Sequence, residues 1–171
     1  ALLDSAGDWG WGYSGHDSYC GYVRLDSIAR AAPEPTHVVH VRKALVFAEP
    51  SIKTRMVASL PMGSRIAVQG ASECGRFFAV EGGWMSVRHA LALDALTCDP
   101  VDRALQLIGA PYLWGGRSGD ALDCSGLVQL GLMLAGQDAP RDSDQQRAAL
   151  GRALADAEPL QRGDLVFFPG H

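Results

Sequence analysis

The chain has 171 residues, of which 47% are hydrophobic and 20% are charged, and its formal net charge is −4. This composition excludes an intrinsically disordered chain, and the length suffices for one large or two small globular domains. No basic cluster exceeds two neighbouring residues, which argues against a nucleic-acid-binding protein and against adhesion to anionic membranes. No apolar run approaches the ~18 residues that a membrane span needs.

Short β-rich runs separated by proline and glycine occupy the first half of the chain. The predicted strands lie at residues 39–41, 45–47, 65–68 and 77–80. Their spacing indicates a small antiparallel barrel. Residues 8–28 and residues 76–91 share a pattern of aromatic residues followed by a second strand-like run. We therefore predict two related β-modules, the first of which lacks its start, with a proline-containing linker at residues 31–35.

Five aromatic residues lie close together near the start of the chain: Trp9, Trp11, Tyr13, Tyr19 and Tyr22. Aromatic residues at strand spacing usually belong to a core, so we expect most of these side chains to be buried. Tyrosine and tryptophan also line binding grooves, because their rings are apolar yet carry a hydrogen-bonding group. A groove therefore stays open as the alternative for part of this group.

The periodicity changes to that of helices after Asp99. Asp99 and Pro100 form a typical helix start, and one apolar face of the predicted helix carries Val101, Ala104, Leu105 and Ile108. A second helix is predicted from about Cys124 to Ala135. Its apolar residues lie nearly all round the helix, which predicts a central, buried element.

A third helix is predicted to open with a capping box at residues 143–146 and to end near Gly151. Residues 165–168 are apolar, follow a Gly-Asp pair and are predicted to form a strand. Helices that precede strands are typical of an α+β domain. This part of the chain therefore differs in class from the β-modules before it.

Cys124 is the strongest candidate for a chemical role. It is predicted to lie in the first turn of the second helix, where unpaired N–H groups and the positive end of the helix dipole favour a thiolate. The same N–H groups can donate to an oxyanion, and the small residues Ser125 and Gly126 leave room for a substrate carbonyl. A buried structural cysteine is the alternative, but the polar neighbours Asp123 and Ser125 argue against it.

His171 follows the predicted strand at residues 165–168 and is the candidate base for Cys124. A strand end can deliver an imidazole into a cleft, although a lone histidine is more often without function. We interpret the remaining histidines as surface or strand-face residues: His16, His37, His40 and His89. No CxxC pair occurs, so free thiols rather than a zinc site are expected for Cys20, Cys74, Cys98 and Cys124.

A polar run of Arg141, Asp142 and Ser143 precedes the third helix. Capping is one interpretation, in which the Asp142 or Ser143 side chain accepts from the first N–H groups of the helix. A carboxylate at this position could also bind the ammonium group of a ligand. Both interpretations stay open on the residues alone.

Three blocks of the sequence resemble the NlpC-type family of papain-like cysteine peptidases, which act on bacterial cell-wall peptides. They occur in that family's order: GAPYLWGG at residues 109–116, DCSGLV at residues 123–128, and GDLVFF at residues 163–168 followed by His171. The resemblance covers residues 99–171, and the part before it resembles bacterial SH3-like domains. The implied fold class is an α+β papain-like catalytic domain preceded by small all-β SH3-like barrels. The implied boundaries are 1–32 for the C-terminal part of a first SH3-like domain, 33–95 for a second, and 96–171 for an incomplete catalytic domain.

The resemblance implies hydrolysis of the amide bond between γ-D-glutamate and L-lysine or diaminopimelate. It assigns Cys124 as the nucleophile and His171 as the general base, and it implies that Tyr112 lies beside the oxyanion site. We also include Asp123, next to the nucleophile, among the predicted substrate-binding residues.

The order of domains resembles a subgroup that cuts free cell-wall peptides. In that subgroup an Asp-Ser pair and a tyrosine of the first SH3-like domain hold the free amine of an N-terminal L-alanine. Asp142 and Ser143 match the pair, and Tyr19 is assigned to the tyrosine with Tyr22 and Tyr13 as alternatives. The first β-module would then close one end of the cleft, which predicts a dipeptidyl-peptidase for small peptide fragments.

The main alternative is a non-catalytic peptidoglycan-binding protein built on its SH3-like modules, and a third hypothesis is another thiol chemistry such as acyl transfer. No metal or organic cofactor is implied, and the expected partner is a peptidoglycan-derived peptide. Recycling of free peptides favours the cytoplasm, whereas a removed leader would favour export. The family's third polar catalytic residue would lie beyond His171, so we interpret the chain as part of a longer protein.

Overall fold

The computed structural model describes residues 1–28, 33–97 and 99–168. We refer to these ranges as the first β-module, the second β-module and the helical region. The strands of the β-modules are β1 Leu2–Ala6, β2 Trp9–Tyr13, β3 Cys20–Arg24, β4 His37–Val39, β5 Lys43–Phe47, β6 Met56–Pro61, β7 Arg65–Ile66, β8 Gly70–Ala71, β9 Phe77–Val80, β10 Gly83–Ser86 and β11 Ala90–Ala92. The helical region contains α1 Pro100–Leu105, β12 Arg117–Ser118, β13 Ala121–Leu122, α2 Cys124–Leu134 and α3 Ser143–Ala149.

The first β-module is an antiparallel sheet in the order β1-β2-β3. In β2, Gly10 and Gly12 are the buried positions, and the alternating aromatic side chains lie on the opposite face. The five aromatic side chains are 37–73% exposed, so the prediction that most are buried is wrong: Trp9, Trp11, Tyr13, Tyr19 and Tyr22. The physical reason is the two-residue period of a strand, which places Trp9, Trp11 and Tyr13 together on the side away from the buried glycines.

The second β-module contains a five-stranded sheet in the order β6-β5-β10-β9-β8 and a three-stranded sheet in the order β11-β4-β7. All of their strand pairs are antiparallel. Between the sheets lies a core of buried side chains: Val39, Ala44, Val46, Ile66, Val80, Met85 and Ala90. The predicted strand at 77–80 coincides with β9, and the one at 45–47 lies within β5. The one at 65–68 contains β7 and extends two residues past it, whereas the one at 39–41 overlaps only the last residue of β4.

The two β-modules share one supersecondary unit. The hairpin β2–β3 and the hairpin β9–β10 are each followed by a single turn of 3₁₀ helix, at Leu25–Ser27 and Val87–His89. The hairpins differ in their connections, because residues 14–19 join β2 to β3 whereas only Glu81 and Gly82 join β9 to β10. The longer connection is therefore specific to the first β-module.

The start of α1 follows the prediction, but its apolar face does not. The Asp99 carboxylate accepts hydrogen bonds from the N–H groups of Val101 (2.7 Å) and Asp102 (3.3 Å). After Leu105 the hydrogen bonds span three residues instead of four, which rotates the chain and turns Leu107 into the core. Leu105 and Ile108, which were expected on the buried face, are 54% and 73% exposed.

The helix α2 is central, as its composition predicts. Six of its residues are buried, and beyond Cys124 none of its residues is exposed. It shares a core with the second β-module, formed by Val38, Met62, Leu107, Leu122, Leu130 and Leu134. The helix α2 therefore packs both against the rest of the helical region and against the second β-module.

Two predicted features of the helical region are corrected by the structure. Residues 165–168 form no strand, because no described strand pairs with them. The capping box at residues 143–146 is not formed either: Asp142 is the N-cap of α3, and no side chain caps that helix. No helix in the three described ranges is both long enough and apolar enough to span a bilayer.

Candidate active site

Cys124 is the first residue of α2, and its side chain is exposed. The N–H groups of Cys124 and Ser125 lie in the first turn of the helix, where no intrahelical acceptor is available. The N–H group of Gly126 is already used, because it donates to the Asp123 carboxylate at 2.7 Å. An accessible sulfur therefore lies beside two N–H donors and the positive end of a helix dipole.

Asp123 forms the N-cap of α2 and is bound from several sides. Its Oδ1 accepts from Gly126 N–H, from the Ser125 hydroxyl (3.3 Å) and from Arg141 Nη1 (2.9 Å). Its Oδ2 accepts from Gly115 N–H (2.9 Å) and from Arg141 Nη2 (2.5 Å). Because these protein donors already bind both oxygens of the carboxylate, Asp123 has a structural role beside Cys124 and is not free to bind substrate.

Asp123 and Arg141 form a buried ion pair. The Asp123 and Arg141 side chains are 9% and 7% exposed. Burial alone would raise the pKa of Asp123, but the Arg141 guanidinium and the N–H groups of Gly126 and Gly115 together lower that pKa below its ordinary value. The carboxylate is therefore ionised at neutral pH and holds the start of α2 in place.

A cavity of about 130 Å³ opens beside Cys124. It is lined by Cys124, Ser125, Val128, Ser143, Gln146 and residues 165–168. The structure thus brings Ser143 to the same cavity as Cys124, although the two lie on different helices. Just before the segment 165–168, the Arg162 guanidinium contacts Asp99, the N-cap of α1, and Asp102 within α1.

The other predicted site residues lie at different positions around this cavity. Asp142 is half-buried, and its carboxylate makes no hydrogen bond to the described residues. Tyr19 is exposed, and it lies near enough to Arg141 that Tyr19 and Asp142 both contribute, after the dominant Asp123, to raising the pKa of that guanidinium. Tyr112 is 66% exposed, and its backbone bridges to Leu122, two residues before Cys124. His171 lies outside the described residues, so its role as base stays a prediction.

Residues 109–171 match the model of the NlpC/P60 family. This part of the chain belongs to the NlpC/P60 family. The solved structure of an NlpC/P60 family protein from Bacillus cereus superposes with a TM-score of 0.74 at 21% sequence identity, covering 95% of this chain and 60% of that one. It shows that the fold of the NlpC/P60 part and of the β-rich part before it has a known counterpart.

Two curated relatives carry peptidase names. The chain is 32% identical to Dipeptidyl-peptidase 6 from Lysinibacillus sphaericus, over 79% of this chain and 55% of that protein. It is 41% identical to gamma-D-glutamyl-L-lysine dipeptidyl-peptidase from Bacillus subtilis, over 41% of this chain and 23% of that protein. The chain therefore spans less than two thirds of the length of either relative.

Sequence reasoning missed two side chains of the NlpC/P60 site. Arg141 was considered only as part of a polar run, yet it binds both Asp123 and the Ser125 hydroxyl (2.8 Å). Gln146, which is 1% exposed, donates to the carbonyl groups of Ser125 (2.9 Å) and Pro140 (2.8 Å). The available signal was an acidic residue at the start of an apolar helix, because a buried carboxylate requires a cationic partner.

Gly126 gives a direct test of how closely α2 packs against the loop before it. A Cβ at this position would overlap the Gly116 carbonyl oxygen and lie 2.9 Å from Asp123 Oδ1. Because the first obstacle is backbone, Gly126→Ala is expected to lower the free energy of unfolding by about 1–3 kcal/mol. We also expect activity to fall, since α2 must shift at its first turn.

The control for this substitution is Gly70→Ala, because a Cβ at Gly70 meets no atom within 4 Å. Urea unfolding of both variants measures the difference, and peptide hydrolysis reports the displacement of Cys124. Equal stability of the two variants would show that α2 is not seated against the loop at residues 115–117.

Proposed function

We propose that this chain carries a cysteine peptidase that hydrolyses the bond between γ-D-glutamate and L-lysine or diaminopimelate in cell-wall peptides with a free N-terminal L-alanine. The observation that carries the proposal is the exposed Cys124 at the start of α2, in one cavity with Ser143. The choice of bond is supported by the similarity to the gamma-D-glutamyl-L-lysine dipeptidyl-peptidase of Bacillus subtilis. The division into two SH3-like domains, 1–32 and 33–95, and a catalytic domain, 96–171, is part of this proposal.

In the proposed reaction the Cys124 sulfur attacks the γ-carbonyl carbon of D-glutamate. His171 takes the thiol proton and passes it to the leaving amine, so that the C–N bond breaks and a thioester forms. Water then attacks the thioester, releases the L-alanyl-D-glutamate product and restores the thiol. The N–H groups of Cys124 and Ser125 stabilise the oxyanion in both steps, with Tyr112 beside it.

Polar groups at the start of α3 are available to bind a substrate amine, which supports selection of a free N-terminus. The Asp142 carboxylate makes no hydrogen bond to described residues, and the Ser143 side chain reaches the cavity of Cys124. A half-buried carboxylate binds an ammonium group by a charge-assisted hydrogen bond. In this proposal Asp142, Ser143 and Tyr19 hold the amine of L-alanine, and Asp123 acts through its hold on α2.

The test is mass spectrometry of L-Ala-γ-D-Glu-L-Lys and its N-acetylated twin after incubation with the full-length gene product. We expect release of L-lysine from the free peptide, and acetylation is expected to lower kcat/KM by about tenfold to a hundredfold because one charged hydrogen bond is lost. Asp142→Asn should remove most of this difference. Cys124→Ala serves as the blank.

Each outcome bears on a separate part of the proposal. Equal cleavage of both peptides by the wild-type protein would keep the peptidase and reject recognition of the amine. Cleavage of neither peptide, together with sedimentation of the protein with insoluble peptidoglycan, would favour the non-catalytic binding protein instead.

A further inference from the structure

The connection between β2 and β3 is the part of the first β-module that contacts the helical region by hydrogen bonds. Its six residues, 14–19, take the place of the two-residue turn in the related hairpin of the second β-module. Among the described residues, this loop makes every hydrogen bond that joins the first β-module to the remainder of the chain, through His16 and Asp17. The residues that lengthen this connection relative to the related hairpin are therefore the ones that contact the remainder of the chain.

Asp17 is the buried centre of this contact. Its side chain is 1% exposed, and its Oδ2 accepts from Arg117 Nη1 (2.9 Å) and from Gln129 Nε2 (3.1 Å). Burial raises the pKa of Asp17, but hydrogen bonds from Ser14, from the N–H group of Tyr19 and from Gln129, together with the charge of Arg117, lower that pKa below its ordinary value. Asp17 is thus an ionised side chain from the first β-module inserted into the helical region.

Gln129 extends the contact to the segment that carries the predicted amine-binding residues. It is 3% exposed, and the same Nε2 group that donates to Asp17 also donates to the Ala139 carbonyl at 3.0 Å. Ala139 precedes Arg141 and Asp142 by two and three residues. One amide group therefore connects the loop at residues 14–19 with the loop at residues 139–143.

The backbone of the docking loop is strained next to Tyr19. Ser18 has φ 56°, and in the described ranges no other residue except glycine has a positive φ. The N–H group of Ser18 donates to the Ser14 carbonyl (3.0 Å), and that of Ser14 donates to the Tyr19 carbonyl (3.0 Å). Such a conformation persists only where its surroundings fix it, and the Asp17 contact is the adjacent fixed point.

A cavity of about 170 Å³ borders this contact, and His16, Arg65, Arg117 and Gln129 are among the residues that line it. Around this cavity, the hydrogen bonds of His16 and Asp17 join the docking loop to the remainder of the chain.

We propose that Asp17 is a positioning residue that clamps the first β-module onto the helical region and so fixes Tyr19 as the end wall of the substrate cleft. This inference rests on the proposed function, and it assigns the selectivity for a short free N-terminus to the clamp. When the Asp17 contact is lost, Tyr19 moves away from the end of the cleft and a peptide with an acetylated N-terminus fits.

The first test is hydrogen exchange of the full-length protein without substrate, comparing wild type with Asp17→Asn. Asparagine has the same shape but no charge, and its single amide oxygen cannot accept both from Tyr19 N–H on one side and from Arg117 and Gln129 on the other. We expect amide exchange in residues 14–19 and 139–143 to become at least about tenfold faster. The matched control is Asp26→Asn, which removes an exposed ion pair with Arg24 in the same module. Unchanged exchange in both segments would overturn the clamp.

The second test is the ratio of kcat/KM for L-Ala-γ-D-Glu-L-Lys to kcat/KM for its N-acetylated twin. This ratio does not depend on the fraction of folded enzyme, because unfolding lowers both values equally. We expect Asp17→Asn to lower the ratio at least about fivefold and Asp26→Asn to leave it unchanged. Faster exchange with an unchanged ratio would overturn the selectivity role. Absence of hydrolysis by wild type would contradict the proposed function alone, since exchange is measured without turnover.

Discussion

Replacement of Cys124 by alanine is expected to abolish peptide hydrolysis while the protein stays folded. The sulfur is exposed, and the start of α2 is held by Asp123, Arg141 and Gln146 rather than by the cysteine. Loss of a nucleophile typically lowers kcat by a factor of about 10⁴ or more. Mass spectrometry of the released product measures the loss of activity. Thermal unfolding of the same sample measures its stability.

Cys74→Ala is the matched control for this substitution. Cys74 is also an exposed free thiol, and the Ser72 hydroxyl together with Arg76 lowers its pKa to about 7. An alkylating reagent will therefore modify Cys74 as well as any other reactive thiol, so inactivation by alkylation does not identify the nucleophile. Cys74→Ala is expected to keep wild-type activity, and full activity of Cys124→Ala would reject Cys124 as the nucleophile.

The features that the sequence predicted correctly depend on neighbours along the chain. The helix start at Asp99 and Pro100 needs only the two N–H groups that follow, and both are bound by the Asp99 carboxylate. The burial of α2 follows from residues that are apolar on all sides of one helix. Periodicity and capping of this kind can be read within one or two helical turns.

The features that were predicted wrongly depend on contacts far along the chain. The strand at residues 165–168 needs a paired neighbour, and an apolar run contains no information about its partner. The capping box failed because Gln146, instead of turning back to its own helix, donates to the carbonyl groups of Ser125 and Pro140. In both cases a local pattern gave way to tertiary structure.

The same distinction between local patterns and distant contacts applies to the candidate site. Its motif residues, Cys124 and Ser143, could be found because each stands in a short recognisable run, and the structure brings both to one cavity. The groups that hold them could not, because Arg141 reaches Asp123 across 18 positions and Asp17 reaches Arg117 across 100. Sequence patterns thus predict candidate site residues, whereas the fold shows which residues hold those candidates in place.

The second large effect is expected from Arg141→Met, which keeps much of the side-chain volume and removes the charge. Asp123 would then be a buried carboxylate without a counter-ion, and removal of one partner of a buried pair typically costs about 3–5 kcal/mol. Urea unfolding at neutral pH measures this loss. The control is Arg152→Met, which breaks the ion pair between Arg152 and Glu158. Because the Arg152 side chain is 69% exposed, this substitution should change the free energy of unfolding far less.

The pH dependence of the Arg141→Met effect separates the lost charge from lost packing. The folded-state pKa of Asp123 lies below its ordinary value, so the carboxylate contributes stability above its unfolded pKa of about 3.9 and loses that contribution as the pH falls through the folded pKa. Without Arg141, burial raises the pKa of Asp123 and the variant takes up its proton at a higher pH. The stability difference between the two proteins should therefore narrow as the pH falls from neutral into the acid range. A difference that stays constant across this range would mean that Arg141 stabilises α2 by packing alone.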